Sequence, residues 1–156
     1  GRLVRTPKSP RSLRVTKPLR PVSRDQTVAV PLVGRIAAGS PVFALEEAEE
    51  VLPLPKALFR GSSLFALRVK GDSMIDAGIF DGDIAVLQSG PDFSDGDIAA
   101  VVVDEEATLK RVFRQKNGVR LQAENPAYPD RLISREQVKY SFRLAGVLVG
   151  TIRRFT

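Results

Sequence analysis

Residues 98–121 read IAAVVVDEEATLKRVFRQKNGVRL, and this stretch decides the fold. Two runs in it, Ile98–Val103 and Thr108–Phe113, have the β-branched and apolar composition that is typical of strands. A third run, Val119–Leu121, follows Lys116-Asn117-Gly118, and Asn-Gly between two such runs favours a tight hairpin turn. We therefore predict successive short strands in this part of the chain.

Short runs of the same kind recur on both sides of this stretch, separated by Gly, Pro and Asp-Gly. These further runs are Val30–Val33, Leu64–Val69, Ile84–Leu87 and Arg143–Gly150. Helix is scarce, since only Pro55–Phe59 and Ser73–Ala77 are expected to form single turns. The spacing predicts a mostly β fold of the barrel or sandwich type.

Composition narrows the possible chemistry. The chain has 156 residues, 43% of them hydrophobic and 27% charged, with neither Cys nor His. Ser-His-Asp triads, Cys-His pairs, disulfides and the usual zinc sites are therefore excluded. A nucleophile in this chain would need a Lys, a carboxylate or a metal-bound water as its base. We expect no cofactor and no metal.

No apolar run is long enough to cross a membrane. The N-terminus is basic, but the apolar region that follows such residues in a signal peptide is absent. We expect a protein of the cytoplasm without a membrane partner.

The positive charge is concentrated at the N-terminus. Residues 1–27 hold eight Lys/Arg and one acid, Asp25, whereas residues 28–156 hold 16 Lys/Arg and 17 Asp/Glu. Such a basic arm indicates either a polyanionic partner or a solvated linker, and charge alone does not decide between them. Leu3–Arg5 and Leu13–Val15 are expected to form two short strands around a Pro7–Pro10 turn, followed by a linker over residues 16–27.

One short sequence occurs twice. Asp81-Gly82-Asp83-Ile84-Ala85 recurs as Asp95-Gly96-Asp97-Ile98-Ala99, each time just before a predicted strand. Clustered acids around a Gly can bind calcium, but neither copy has the ligand spacing or the closing Glu of an EF-hand loop. We interpret both copies as turns.

Two residues remain as candidates for chemistry. Ser73, in Gly71-Asp72-Ser73-Met74, lies in a sharp corner after a strand, where it is either a nucleophile or a helix N-cap. Lys110 alternates with Thr108 and Val112 on one face of its strand, where it is either buried with a lowered pKa or a charge on a sheet edge. Neither residue alone shows whether its role is catalytic or structural.

Together the two segments resemble the Ser-Lys peptidases of the LexA/UmuD/phage-repressor family. Gly71–Met74 is followed 37 residues after Ser73 by Lys110, within Thr-Leu-Lys-Arg. Further similar segments lie in order from about Val30 to Arg154: Val33–Pro41, Asp76–Asp83, Glu124-Asn125-Pro126 and Gly146–Arg153. The resemblance implies a LexA/UmuD-like, barrel-like β domain.

The resemblance also implies roles for individual residues. Ser73 would be the nucleophile, Lys110 the general base, and the bond between Ala38 and Gly39 the one that is cut. The backbone N–H groups of Asp72 and Ser73 would hold the oxyanion. On the residues alone, Ala37-Ala38-Gly39 is equally a bend of small side chains.

The first 15 residues resemble the wing hairpin that closes the family's winged-helix DNA reader. We therefore expect a wing remnant over residues 1–15, a linker over 16–27 and a self-cleaving, dimerising domain over 28–156, with most of the DNA reader outside this chain. The implied partners are a second copy, operator DNA for the longer protein and a RecA–ssDNA filament that promotes cleavage. The implied function is that of an SOS repressor.

Other interpretations remain open at this point. A UmuD-like polymerase accessory or a phage repressor would use the same chemistry, although the wing-like start argues against both. A signal peptidase shares the Ser-Lys pair but would carry a membrane anchor. A non-enzymatic interaction module would leave Ser73 as a cap and Lys110 as a surface charge.

Overall fold

The computed structural model describes residues 3–5, 13–15, 24–34 and 48–155. Strand β1 (Leu3–Arg5) pairs antiparallel with β2 (Leu13–Val15), with Val4 opposite Arg14, as predicted for the two short N-terminal strands. The division into residues 1–15, 16–27 and 28–156 stays a prediction.

The other strands form one continuous sheet of nine. They are β3 (Thr27–Val33), β4 (Ala48–Pro55), β5 (Leu64–Arg68), β6 (Ile84–Gln88), β7 (Ile98–Val103), β8 (Glu106–Gln115), β9 (Gly118–Gln122), β10 (Arg131–Ser134) and β11 (Phe142–Ile152). Their order across the sheet is β10-β9-β8-β7-β11-β6-β5-β3-β4. Among the strands that the structure describes, only β3 and β5 pair in parallel. The predicted mostly β fold is confirmed.

The predicted hairpin turn joins β8 to β9. Gln115 lies opposite Gly118, so Lys116 and Asn117 form a two-residue loop. Gly118 has a φ of 144°, and a Cβ there would lie 1.8 Å from the carbonyl oxygen of Ile133. Only glycine fits at this position, because the neighbouring strand passes too close for any side chain.

The core lies on both faces of the central strands. In β7, Ala100 and Val102 pack into one cluster with Phe65, while Val101 and Val103 pack into another on the opposite face. This explains why residues 98–103 form an unbroken apolar run, since strict alternation is expected only when one face is solvated.

The structure contains two strands and a helix that the sequence pattern did not predict. They are β4, β10 and α1 (Arg135–Tyr140). The two predicted turns are present: Leu58 and Phe59 donate to the Pro55 carbonyl, and Ile75–Ala77 forms a 3-10 helix. In the described part of the chain, no helix is long and apolar enough to cross a membrane.

Candidate active site

Ser73 lies in a corner that several hydrogen bonds fix. The chain leaves β5 and turns at Gly71, which has a φ of 81° and donates its N–H to Asp81 Oδ1 at 2.7 Å. The Ser73 carbonyl accepts the N–H of Glu124 at 2.8 Å. The backbone on both sides of the serine is therefore held in place.

Ser73 does not cap the short helix that follows. The N-cap of Ile75–Ala77 is Met74, which makes no side-chain cap bond. The Ser73 hydroxyl instead lies 2.8 Å from Lys110 Nζ. The interpretation of Ser73 as a helix cap is wrong.

Lys110 reaches the serine from β8. As predicted, it shares a face with Thr108 and Val112, and Val112 is fully buried while Lys110 is half-buried. Its Nζ lies 2.8 Å from Thr108 Oγ1 and 3.0 Å from the Leu109 carbonyl oxygen. The interpretation of Lys110 as a surface charge is wrong, although its side chain is half-buried and not fully buried.

These three contacts can be made in either protonation state, since an ammonium would donate to all three oxygens. A neutral lysine has two N–H donors and one lone pair. The Leu109 carbonyl can only accept a hydrogen bond, and the Thr108 hydroxyl can accept one as well. If Lys110 is neutral and uses both donors in this way, its lone pair faces the Ser73 hydroxyl and can accept the proton.

The surroundings of Lys110 favour the neutral form. Burial lowers the pKa of its ammonium below the ordinary value, because the charged form loses solvation. The Glu106 carboxylate opposes this effect by raising the pKa. Burial is the larger of the two effects, so Lys110 loses its proton more readily than an exposed lysine.

A groove of about 380 Å³ lies beside Ser73. One wall is formed by residues 67–71 with Ser73 and Met74, and the other by residues 105–109 at the start of β8. Gly34, the last described residue of the segment that follows β3, also lines it. The residue that follows β3 and Ser73 therefore line the same groove, and Lys110 contacts Ser73 beside it.

Comparisons with known proteins identify the family of the chain. Residues 31–149, more than half of the chain, match the family described as Peptidase S24-like. The LexA repressors of Desulfitobacterium hafniense strains DSM 10664 / DCB-2 and Y51 are each 37% identical to the chain over 153 residues. That alignment covers 98% of this chain and 72% of each relative.

The chain is a LexA-type member of the peptidase S24 family. Of the residues that the S24 resemblance singled out, Ser73 and Lys110 lie in direct contact. Ala38 and Gly39 lie outside the described residues. The N–H groups of Asp72 and Ser73 make no hydrogen bond to another residue in the described part of the chain.

Sequence reasoning assigned no role to the residues after β9, although it quoted Glu124-Asn125-Pro126 among the S24-like segments. In the structure, Asn125 is buried and its side-chain amide donates to the Asp72 carbonyl at 3.0 Å. Glu124 also forms an ion pair with Arg111, the neighbour of Lys110. The segment therefore contacts both the serine corner and the lysine strand.

Proposed function

We propose that this chain belongs to a transcriptional repressor of the SOS (DNA-damage) response that cuts itself between Ala38 and Gly39. Ser73 is the nucleophile and Lys110 the general base. The observation that carries the proposal is the 2.8 Å contact between Lys110 Nζ and Ser73 Oγ beside an open groove. The name of the two relatives, LexA repressor, supports the regulatory part.

Acylation follows from the contacts of the lysine. Neutral Lys110 takes the proton from Ser73 Oγ while that oxygen attacks the Ala38 carbonyl carbon. The resulting ammonium returns the proton to the nitrogen of Gly39, the Ala38–Gly39 bond breaks, and an ester joins Ala38 to Ser73. Water then hydrolyses this ester, with Lys110 again accepting a proton.

The developing oxyanion needs hydrogen-bond donors. The N–H groups of Asp72 and Ser73 have no partner among the described residues and belong to a corner that is already fixed by Asp81, Glu124 and Asn125. Such preorganised donors do not have to reorient during the reaction, and this makes them effective.

The substrate is within reach of this site. Val33 pairs with Ala48, so residues 34–47 connect two neighbouring antiparallel strands of the sheet. Gly34 lines the groove, and Ala38 follows four residues later. Four extended residues span about 13 Å. Because the bond and the nucleophile share one chain, their effective concentration is high and cleavage is expected to be intramolecular.

Two restraints keep this activity in check. Lys110 must be neutral, and the segment that contains Ala38 must occupy the groove. We propose that a RecA–ssDNA filament favours the occupied state, as the family resemblance implies. Any partner that binds the cleavable state more tightly would increase its population.

Cleavage would end repression because tight operator binding needs two DNA-binding domains joined in one dimer. Among the described strands, residues 148–152 of β11 pair with β6 only. A second copy of the chain would pair with the opposite edge of these residues. Cutting at Ala38 would separate this dimerising part from the DNA reader of the longer protein. Operator binding would then weaken through the loss of bivalency.

The test is to incubate the purified chain at a series of pH values and to measure intact masses over time. We expect fragments 1–38 and 39–156, formed with a first-order rate constant that does not depend on protein concentration. The rate should rise with pH as Lys110 loses its proton. This rise should occur at a lower pH than the titration of an ordinary lysine, because burial lowers the pKa of Lys110. Ser73→Ala should abolish cleavage, and Lys110→Arg should slow it by about 10²-fold or more, because a guanidinium cannot act as a base.

Matched controls are Ser94→Ala and Lys139→Arg, which change an exposed serine and an exposed lysine outside the groove. Both should cleave like the wild type. Cleavage of Lys110→Arg at the wild-type rate would exclude the proposed base. An intact wild-type chain at every pH, even with a RecA–ssDNA filament added, would exclude self-cleavage.

A further inference from the structure

The Ser73 corner is connected to residues 124–128 by four hydrogen bonds. Glu124 N donates to Ser73 O, and the Asp76 N–H donates to Glu124 O, both at 2.8 Å. Asn125 Nδ2 donates to Asp72 O at 3.0 Å. The fourth bond, from the Tyr128 hydroxyl to Asp72 Oδ1 at 2.5 Å, is the only one made between two side chains.

Tyr128 differs from Asn125 in its surroundings. Asn125 is buried, and its side-chain oxygen also accepts the Ala127 N–H at 2.9 Å, so it maintains the local fold. The Tyr128 side chain is 43% exposed. Its hydroxyl can therefore be removed without creating a cavity in the core.

We propose that Tyr128 is a positioning residue, which holds the Asp72 carboxylate and thereby orients the Ser73 hydroxyl and the neighbouring N–H groups for attack. This inference rests on the proposed self-cleavage. Asp72 is held at its carbonyl oxygen by Asn125 and at its carboxylate by Tyr128. Because both the carbonyl oxygen and the carboxylate of Asp72 are hydrogen-bonded, the peptide group between Asp72 and Ser73 cannot rotate freely.

A second physical reason concerns the carboxylate itself. Aspartate side chains readily accept hydrogen bonds from backbone N–H groups close to them in sequence. A released Asp72 carboxylate would compete for the same N–H groups that are proposed to bind the oxyanion. The Tyr128 hydroxyl prevents this competition by occupying the carboxylate.

The contact can be tested without any cleavage. The chain has two tyrosines, Tyr128 and Tyr140, and no Trp, so Tyr140→Phe leaves Tyr128 as the only chromophore that ionises to tyrosinate. In a Ser73→Ala, Tyr140→Phe background, an ultraviolet titration should give a pKa above the ordinary tyrosine value, because Asp72 accepts the hydroxyl proton in a hydrogen bond and repels the phenolate. Adding Asp72→Ala should lower this pKa. No change on adding Asp72→Ala would overturn the inference.

The functional test compares self-cleavage rates across pH for the wild type, Tyr128→Phe, Asp72→Ala and the double variant. Tyr128→Phe should lower the plateau rate by about tenfold, the scale expected for a slightly misplaced nucleophile. The pH midpoint should stay constant, since this midpoint reports Lys110. In the Asp72→Ala background, Tyr128→Phe should have no further effect. Tyr140→Phe is the control and should cleave like the wild type.

The possible outcomes are distinct. Wild-type cleavage with an unaffected Tyr128→Phe variant overturns the positioning role and leaves the proposed function intact. A shifted pH midpoint with an unchanged plateau also overturns it, because Tyr128 would then act on Lys110. Equal slowing by Tyr128→Phe with and without Asp72 overturns the route through Asp72. A wild-type chain that does not cleave overturns the proposed function, and the positioning role with it.

Discussion

The two Asp-Gly-Asp turns have the same backbone hydrogen bonds but different surroundings. In the first turn, the bonds run from Gly82 N to Val69 O, Val69 N to Asp83 O, Phe80 N to Asp83 Oδ2 and Gly71 N to Asp81 Oδ1. In the second turn, they run from Gly96 N to Val112 O, Val112 N to Asp97 O, Ser94 N to Asp97 Oδ2 and Arg114 N to Asp95 Oδ1. The predicted turns are confirmed, and the sequence repeat is a structural repeat.

The surroundings of the last aspartate distinguish the copies. Asp83 is 1% exposed and accepts two hydrogen bonds from Arg153, at 2.6 and 2.7 Å. Asp97 is half-buried and accepts the Ser94 N–H. The first turn is therefore anchored to the C-terminal segment by an ion pair between the buried Asp83 carboxylate and the exposed Arg153 side chain.

The two turns also fasten different parts of the candidate site. The first holds Gly71, two residues before Ser73, and the second holds Arg114, four residues after Lys110. One backbone arrangement thus braces both the segment that carries Ser73 and the strand that carries Lys110. The comparison suggests that the first copy contributes more to both stability and cleavage.

The largest difference is expected between Asp83→Ala and Asp97→Ala. Asp83→Ala removes a buried acceptor with charge-assisted hydrogen bonds and should lower the free energy of unfolding by about 3 kcal/mol. Asp97→Ala removes a neutral-donor hydrogen bond and should cost about 1 kcal/mol. Urea unfolding of both variants measures the difference. Equal losses would mean that the Arg153 pair adds nothing to the first turn.

At acid pH, Asp83 should contribute less to the free energy of unfolding than it does at neutral pH. Hydrogen bonding from Arg153 holds the pKa of Asp83 below its ordinary value, and an unfolded aspartate titrates near pH 4. The stabilisation is therefore complete above about pH 4 and is lost as the pH falls through the lower folded-state pKa. In urea unfolding at a series of pH values, the gap between wild type and Asp83→Asn should narrow below about pH 4. A constant gap would contradict this assignment.

The glycines should respond alike, since the backbone of the two turns is alike. Gly82 and Gly96 have φ angles of 85° and 91°, and no atom lies close enough to clash with a Cβ at either position. Gly82→Ala and Gly96→Ala should each cost about 1–2 kcal/mol in urea unfolding, from backbone strain alone. Clearly unequal costs would show that the two turns differ in conformation in solution.

Much of the sheet was predictable, because its strands are apolar and follow turn signals. Strand β4 was missed because Pro53 and Pro55 argue against a strand. It lies at the edge of the sheet, where a missing N–H is tolerated. Strand β10 has only one buried residue, Ile133, so its sequence shows no alternation. Helix α1 did have a signal, since Ser134 and Gln137 form a capping box.

The candidate site was predictable only in part. Ser73 and Lys110 were paired through the S24 resemblance, because no local pattern brings together residues 37 positions apart. The Tyr128–Asp72 bond joins residues 56 positions apart, and neither segment has a pattern that points to the other. Contacts of this kind depend on how β9 and the segment after it pass beside the serine corner. Hydrophobic periodicity carries no information about that path.

The smallest expected effect concerns the first aspartate of each turn. Asp81→Ala removes the acceptor of the Gly71 N–H and loosens the corner two residues before the proposed nucleophile. Asp95→Ala removes the acceptor of the Arg114 N–H, but Lys110 remains paired with Ala99 of β7, and residues 111–115 remain paired with β9. Asp81→Ala should slow self-cleavage by about fivefold, and Asp95→Ala by less than about twofold.

First-order cleavage rates at the pH plateau measure this difference, and each variant serves as the control for the other because both lose one bond to a backbone N–H. Thermal unfolding of both variants shows whether a slower rate reflects a loss of fold. Since Gly71 is connected to Ser73 through a single residue whereas Lys110 is held in a ladder, the order of the two effects follows from the sheet itself. If Asp95→Ala slowed cleavage more, the base would depend on its turn more than the nucleophile does, and the ranking of the two copies would be reversed.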